Sequence, residues 1–282
     1  MINLYLLALI LVLIIYIHYE NNTIEASYYE IESKKIPSSF NNFKILQLSD
    51  LHSKTFNNNN EYLIKKIDAE IPDIVVMTGD MINNKDENYK SFSLLASYLS
   101  KNYDTYYVFG NHEEDLDDHQ KENLKNLLET LNIKTLYNKK ISLKRNDGTI
   151  NLYGLCFDMI YYKKPYKFSE DFNVLENKKL LGNPNINLYN ILLAHNPLYF
   201  EVYSEWGADV ILSGHVHGGI IKIPFLGGLL SPERKFFPKF CSGKYEIKNS
   251  KLIVNRGLGN TKIKLRIFNK PEISIITLKS NI

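Results

Sequence analysis

Short apolar segments recur along this chain, and five of them end in Asp, Asn or His. These segments are residues 44–50, 73–80, 105–112, 189–195 and 208–215, and each has the length and apolar run of a buried strand. In open α/β sheets, ligands bind at the carboxyl ends of the strands. Five strands that end in such side chains therefore predict a common binding site at that edge.

The spacing of the remaining elements indicates an α/β fold. Amphipathic stretches near residues 60–69, 87–101 and 115–131 separate the early apolar segments, a rhythm that predicts a mainly parallel sheet in the first half. The later segments are close-set strands with turn signals and no long helices between them: residues 139–145, 149–157, 243–249, 251–257 and 272–279. We expect these later strands to form a second sheet packed on the first.

Composition excludes several classes of protein. The 282 residues include 34 Lys and Arg against 31 Asp and Glu, and 44% of them are hydrophobic, which is typical of a globular chain. Two cysteines, Cys156 and Cys241, form at most one disulfide and lack C-x-x-C spacing. This excludes a disulfide scaffold, a cysteine zinc module and a dithiol redox motif, and leaves open whether the two cysteines pair.

Positive charge is concentrated in the last part of the chain. Residues 222–282 hold 13 Lys and Arg against 3 Asp and Glu, whereas residues 1–221 hold 21 against 28. A solvated basic face and an anionic partner explain this skew equally well. Because no RNA- or DNA-binding motif accompanies it, we expect no nucleic acid partner. The oligomeric state is not constrained.

The amino terminus has the composition of a membrane anchor. Residues 2–17 carry no charge, and as a helix they would span about 24 Å, near the lower limit for crossing a bilayer. Tyr5, Tyr16 and Tyr19 lie near the ends of this run, where amphipathic rings settle among lipid headgroups. A cleavable signal peptide would need a basic start and a small-residue cleavage site, and neither is present.

We therefore expect an uncleaved anchor over residues 1–19, a leading strand and linker over 20–42, and the main domain over 43–282. The first cations, Lys34 and Lys35, lie at the far edge of the range over which positive charge orients a membrane helix. Both orientations stay open, and an extracytoplasmic domain is our working expectation.

The side chains at the strand ends form a set of metal ligands. Carboxylate, imidazole and amide oxygen suit Mn, Fe or Zn, and we favour Mn. Two converging carboxylates would repel each other without a cation between them. Two metal ions about 3.5 to 4 Å apart, bridged by one carboxylate, would use the whole set. In chain order the candidate ligands are Asp50, His52, Asp80, Asn111, His195, His215 and His217.

The order D-x-H, G-D, G-N-H-E, H and G-H-x-H resembles the calcineurin-like metallophosphoesterase family. The apolar start, LLAHNP, GHVHGG followed by Pro224, and NRGLGN followed by LRIFNKPEISIITL are similar to its membrane-associated YkuE/YaeI-type branch. The resemblance runs from about residue 43 to residue 278. It implies a four-layer α-β-β-α sandwich, so that residues 43–282 would form a metallophosphoesterase domain behind a transmembrane helix.

The resemblance also implies roles for the residues. It puts Asp50, His52, Asp80 and His217 around one metal ion, and Asp80, Asn111, His195 and His215 around the other. His112 would be the proton donor to the leaving oxygen or a charge-stabilising donor, and Glu113 would orient it. The implied reaction is in-line hydrolysis of a phosphomonoester or phosphodiester by a metal-bridging hydroxide. Val216 and Ile220 stand where the branch often has Thr and Gln, which bears on substrate selection.

For the substrate, residues 220–240 are the informative stretch, because they mix large apolar residues with Arg234, Lys235 and Lys239. That combination suits a lipid interface, although an ordinary packed loop explains it equally well. With the anchor, it leads us to expect an anionic phospholipid or a lipid-linked phosphodiester. The alternatives are a soluble phosphomonoester, nucleotide or cell-wall phosphate, and, from another class, a noncatalytic scaffold.

Overall fold

The computed structural model describes residues 2–85, 89–163, 172–219, 222–223, 227–228, 239–260 and 265–281. Its helices are α1 (Ile2–Asn22), α2 (Glu61–Glu70), α3 (Lys90–Asn102), α4 (Asn111–Glu114), α5 (Asp118–Thr130), α6 (Ile160–Lys163), α7 (Val174–Leu181) and α8 (Phe200–Trp206). Its strands are β1 (Glu25–Ser33), β2 (Lys44–Leu48), β3 (Ile74–Thr78), β4 (Asp104–Val108), β5 (Lys134–Thr135), β6 (Lys139–Arg145), β7 (Gly148–Leu155), β8 (Tyr189–Ala194), β9 (Val210–Ser213), β10 (Lys222–Ile223), β11 (Gly227–Gly228), β12 (Gly243–Ile247), β13 (Ser250–Val254) and β14 (Glu272–Ser280).

Two six-stranded sheets form the centre of the domain. The first has the order β1-β14-β2-β3-β4-β5 and the second the order β12-β13-β9-β8-β7-β6. Strands β2 to β5 are parallel, and β7, β8, β9 and β13 are parallel in the second sheet. Both sheets also contain antiparallel pairs, so each is mixed. The α/β class is confirmed.

Strand β8 illustrates the layering. Ile191 and Leu193 belong to the core shared with the first sheet, whereas Leu192 and Ala194 pack with α8. Successive side chains of a strand point to opposite faces, so the second sheet is covered by the first sheet on one side and by short helices on the other. Helices α2, α3 and α5 cover the outer face of the first sheet. The four-layer α-β-β-α sandwich is confirmed, and the short helices α7 and α8 are additions that the sequence pattern does not predict.

The last strand lies in a different sheet from the one expected. The sequence pattern places residues 272–279 in the second sheet, but β14 pairs with β1 in parallel and with β2 antiparallel, inside the first sheet. Ile273 and Ile275 point to the side opposite Ser274, and all three are buried. A strand buried on both faces is equally suited to either sheet, so its hydrophobic pattern does not determine its partner.

Helix α1 precedes the sandwich. Its large apolar side chains from Leu4 to Ile15 are exposed. The helix is long and apolar enough to cross a membrane, a property that signal sequences share. It extends to Asn22, three residues beyond the expected anchor, and its last turn contacts the domain.

Candidate metal centre

The candidate ligands lie in the turns that follow strands of both sheets. Asp50 follows β2, Asp80 follows β3, His195 follows β8 directly, and His215 and His217 follow β9. Of these residues, all but His195 have a positive φ angle, and so does His52; the five angles lie between 47° and 72°. Left-handed backbone at non-glycine residues costs free energy and clusters at functional sites, where the surrounding structure enforces it. These turns bring the expected ligands to one edge of the two sheets.

Three groups of side chains at this edge each have ligand atoms within 4.8 Å of one another. The first is Asp50, His52 and His217; the second is His52, Asp80 and His112; the third is Asp80, His195 and His215. The groups overlap because His52 and Asp80 each belong to two of them. The arrangement is therefore one continuous Asp/His cluster.

His195 is oriented for coordination. Its Nδ1 lies 2.6 Å from the carbonyl oxygen of Thr78, which only accepts hydrogen bonds, so Nδ1 carries the hydrogen. In the neutral imidazole Nε2 then has the lone pair, and this atom is buried with no hydrogen-bond partner among the described residues. It lies 3.3 Å from Asp80 Oδ2 and 3.9 Å from Asp50 Oδ1. A backbone carbonyl that fixes the tautomer is typical of metal-binding histidines.

The two histidines of the first group converge. His217 Nε2 lies 3.0 Å from His52 Nε2 and 3.3 Å from Asp50 Oδ1, and the two imidazole rings stack. Burial lowers the pKa of His52, and burial together with His52 lowers the pKa of His217 well below the usual range. Both rings are therefore neutral near pH 7, the form in which histidine binds a metal ion.

Asp80 is buried and tightly held. Burial alone would raise the pKa of this carboxyl, but the adjacent His195, His112 and His52 imidazoles bring it well below the usual range. One carboxylate oxygen, Oδ1, accepts the backbone N–H of His112 at 2.8 Å. The other, Oδ2, faces His195 and His52. Asp80 is thus ionised and lies between two groups of candidate ligands.

The Glu113 carboxylate supports the Asp80 turn. It accepts the backbone N–H groups of Asp80 and Gly110 at 2.8 Å each, that of Met81 at 2.8 Å, and the Tyr107 hydroxyl at 2.6 Å. Burial and the charge of Asp80 raise the pKa of Glu113. The bond to Gly110 is that of a capping box at the start of α4. These contacts hold the backbone around Asp80, whereas the sequence led us to expect a contact with the His112 imidazole.

Asn111 and His112 begin helix α4. The half-buried His112 ring lies edge-on to His52, with a centroid separation of 4.6 Å. Asn111 Oδ1 is buried and has no hydrogen-bond partner among the described residues. A buried, unpartnered amide oxygen on Asn111 and a His195 nitrogen that faces two carboxylates are donor types expected of a divalent metal site, so the residues fit the metal ions that the sequence implies.

The loop after β13 lies behind the site, and the sequence pattern predicts no role for it. A Cβ atom on Gly257 would lie 2.7 Å from Asp50 Cβ, so only glycine fits there. The Asn269 side-chain amide donates to the His217 carbonyl at 2.8 Å. The signal that points to these residues is the NRGLGN and FNKPE stretches, in which polar residues and glycines interrupt an apolar region.

Two further expectations concern residues outside this cluster. Arg234 and Lys235 of the 220–240 stretch lie outside the described residues, and Lys239 forms an ion pair with Glu201. Cys156 and Cys241 are both free and buried. Burial raises the pKa of the Cys156 thiol, so it is not a reactive nucleophile.

Comparison with known proteins agrees with this site. A model of the calcineurin-like phosphoesterase family matches residues 43–219. The chain is 30% identical over 265 residues to the uncharacterized metallophosphoesterase YkuE of Bacillus subtilis, covering 93% of this chain and 87% of that one.

Two other relatives have the same description or a related one. The uncharacterized metallophosphoesterase YkoQ of Bacillus subtilis is 27% identical, covering 82% of this chain and 81% of its own. Phosphodiesterase YaeI of Escherichia coli is 26% identical, covering 84% of this chain and 82% of its own. The Asp/His cluster at the ends of the strands, within the region that the family model matches, makes this chain a metal-dependent phosphoric ester hydrolase of the calcineurin-like phosphoesterase family.

Proposed function

We propose that this protein is a dinuclear phosphoesterase that acts at the membrane on a phospholipid or a lipid-linked phosphodiester. Asp50, His52, Asp80 and His217 would hold one divalent ion, and Asp80, Asn111, His195 and His215 the other. The dinuclear site is inferred from Asp80, which belongs to two overlapping groups of ligand atoms and is therefore placed to be a bridging carboxylate.

Bound metal ions would supply positive charge to the phosphate oxygens and lower the pKa of a water molecule toward neutrality. Proton donation and positioning of the ligands are assigned to residues of the chain. His112 lies at the edge of the cluster and is partly exposed, so a leaving group can approach it from solvent. In this proposal its imidazolium donates a proton to the leaving oxygen as the P–O bond breaks. Glu113 acts as a positioning residue through the backbone of Asp80.

The position of helix α1 supports a lipid substrate. Its last turn contacts the 265–270 loop, and Asn269 of that loop donates to the carbonyl of the candidate ligand His217. Tyr16, Tyr19 and the exposed Phe268 lie at this junction, and aromatic rings are enriched at the level of lipid headgroups. The metal centre is therefore next to the end of the apolar helix, where a lipid phosphate would be found.

The first prediction separates metal binding from proton donation. We expect Asp80→Asn to lose bound metal and activity, because it removes the carboxylate common to two groups. We expect His112→Ala to retain both metal ions and to lose about 10²- to 10⁴-fold in kcat, the usual contribution of a general acid. Elemental analysis and hydrolysis of nitrophenyl phosphate mono- and diesters measure the two quantities. Equal metal loss in both variants would contradict the role given to His112.

The second prediction concerns the substrate. In liposomes, we expect hydrolysis of a phosphodiester lipid to increase with the anionic lipid fraction. Arg234→Gln and Lys235→Gln should each raise the KM for the lipid about fivefold, since each basic residue near an anionic surface contributes about 1 kcal/mol to the free energy of binding. The control is Lys65→Gln with Lys66→Gln on helix α2. A soluble substrate would be favoured if the hydrolysis rate changed neither with lipid composition nor with either pair of substitutions, and if soluble nucleotides were hydrolysed faster than the lipid.

A further inference from the structure

The last turn of helix α1 is joined to the domain by specific polar contacts. The Glu20 carboxylate accepts the backbone N–H of Asn269 at 3.0 Å, and the Tyr16 hydroxyl accepts that of Phe268 at 3.1 Å. The Lys54 ammonium donates to the Asn21 carbonyl. Glu20 is only 5% exposed, so its carboxylate is committed to this junction. A simple tether between a membrane helix and a domain needs no buried carboxylate.

The loop of residues 265–270, which contains Phe268 and Asn269, also contacts a candidate metal ligand. The Asn269 amide donates to the His217 carbonyl at 2.8 Å and also to the carbonyl of Gly219. His217, Gly218 and Gly219 have φ angles of 53°, 70° and 77°, so this turn belongs to no regular ladder of hydrogen bonds. Its conformation depends on such side-chain contacts.

Arg266 joins the 265–270 loop to the loop after β13. Its guanidinium is buried and donates to the carbonyls of Asn269 and Gly257, at 3.0 and 3.1 Å. It also donates to the carbonyls of Arg256 and Gly259. This fork of donors holds the Asn269 carbonyl and the carbonyls of the loop after β13 around one guanidinium. Because the Asn269 amide also donates to the His217 carbonyl, we expect a displacement of Asn269 to move His217.

We propose that Glu20 and Asn269 are positioning residues for the His217 ligand, so that the last turn of α1 supports the metal centre as well as linking it to the membrane. Glu20 fixes the backbone of Asn269, and the Asn269 amide fixes the carbonyl of His217. The inference deepens the proposed function and rests on the metal centre described there. It assigns a role in that centre to a residue of the apolar amino-terminal helix.

The test measures Mn²⁺ binding to the metal-free full-length chain in detergent, by the electron paramagnetic resonance signal of free Mn²⁺. Asn269→Ala should raise the Kd of one of two sites about tenfold, the lower end of the effect of residues that orient ligands. Glu20→Ala should raise the same Kd by a smaller factor. Glu20→Gln should keep the wild-type Kd, because the amide oxygen still accepts the Asn269 N–H. Glu205→Ala, an exposed glutamate in the last turn of α8, is the control.

A double variant distinguishes this role from simple docking. Because Glu20 reaches His217 through Asn269, the Glu20→Ala, Asn269→Ala chain should have the Kd of Asn269→Ala alone. The melting temperature of each metal-free variant reports folding, and if Asn269→Ala does not fold, Glu20→Ala and Glu20→Gln decide the question. Wild-type Mn²⁺ affinity in Glu20→Ala, or equal weakening of both sites, would overturn the proposal. A wild-type chain that binds no Mn²⁺ would overturn the proposed metal centre, and this inference with it.

Discussion

Among single residues, His195 shows how the metal-free site balances its charges. Burial opposes a charge on this imidazole, but Asp80 and Asp50 raise its pKa to about 10. In the metal-free protein at neutral pH, an imidazolium therefore compensates the two carboxylates. The stability from this interaction is present below the unfolded-state pKa of 6.5 and is lost as the pH rises through about 10. A metal ion that takes the same position must displace the proton.

From this we predict that metal affinity depends on pH. Between pH 7 and pH 9 the Kd for Mn²⁺ should fall about tenfold per pH unit, since one proton is released from His195. His52 and His217 contribute no slope because their pKa values are already lowered. Anaerobic titration at several pH values measures the slope, and His195→Gln should abolish it. A Kd that is constant from pH 7 to pH 9 would contradict this description of His195.

The ligand types are predictable from the sequence, but their supporting residues are not. Asp50 and Asp80 follow strongly apolar strands, so local pattern identifies them. Proximity in sequence suggests that Glu113 orients His112, whereas the Glu113 carboxylate also accepts hydrogen bonds from Asp80 and Met81 in the turn after β3, about 30 residues earlier. Glu20 and Asn269 are 249 residues apart, and only the folded chain brings them together.

Among the structural elements, the turns after the strands determine the site. Gly257 has a φ of +72° and lies against Asp50, in the loop after β13. Gly182 has the same φ of +72° at the end of α7, and a Cβ atom added there would have no neighbour within 4 Å. The two glycines therefore share a positive φ and differ in the space beside them. Comparing alanine at the two positions therefore separates the effect of backbone strain from the effect of contact with the candidate metal ligand Asp50.

We predict different outcomes for alanine at these two glycines. Both Gly257→Ala and Gly182→Ala should destabilise the protein by about 1 to 3 kcal/mol, the cost of holding a non-glycine residue at a sparsely populated positive φ. Gly257→Ala should in addition displace Asp50 and weaken metal binding about tenfold. Urea unfolding and Mn²⁺ titration measure the two effects. If Gly257→Ala binds metal as Gly182→Ala does, the loop after β13 does not position Asp50.

The strands that carry the site follow the sequence closely, whereas the helices α7 and α8 and the sheet of β14 do not. Strands β2, β3, β8 and β9 lie inside the predicted segments, and β4 begins one residue before its segment, because each is a continuous apolar run followed by polar residues. The sheet to which β14 belongs depends on its pairing with β1 and β2, which are distant in sequence. Local hydrophobicity carries no information about such pairing. The division at residues 19 and 42 stays a prediction.

At the scale of the whole molecule, the metal centre joins the two sheets. Asp50, His52, Asp80 and Asn111 follow strands of the first sheet, and His195, His215 and His217 follow strands of the second. Metal ions bound between them would add to the hydrophobic contacts of the two inner faces. Binding to the folded state alone stabilises a protein according to the ligand concentration relative to Kd.

We therefore predict that chelation lowers the melting temperature of the full chain. Mn²⁺ at 100 times its Kd should restore about 2.7 kcal/mol, which corresponds to roughly 8 °C for a domain of this size. Differential scanning calorimetry measures the shift. Asp80→Asn is the control, and its transition should not respond to Mn²⁺. An identical melting temperature of the wild-type protein with and without metal would mean that the ligands do not link the two sheets.

The pairing of β1 with β14 also sets an order of assembly during synthesis. Strand β1 is made soon after the apolar helix, yet along its length it pairs with residues 272–280, which the ribosome makes after all the other described strands of the two sheets. The first sheet is therefore incomplete while most of the chain is being made, with β2 as an open edge. A chain interrupted before β14 would leave that edge and β1 unpaired beside the exposed helix. The first sheet is thus completed only after every other described strand has been made, and a chain truncated before β14 exposes an edge strand of the kind that promotes aggregation of incompletely folded proteins.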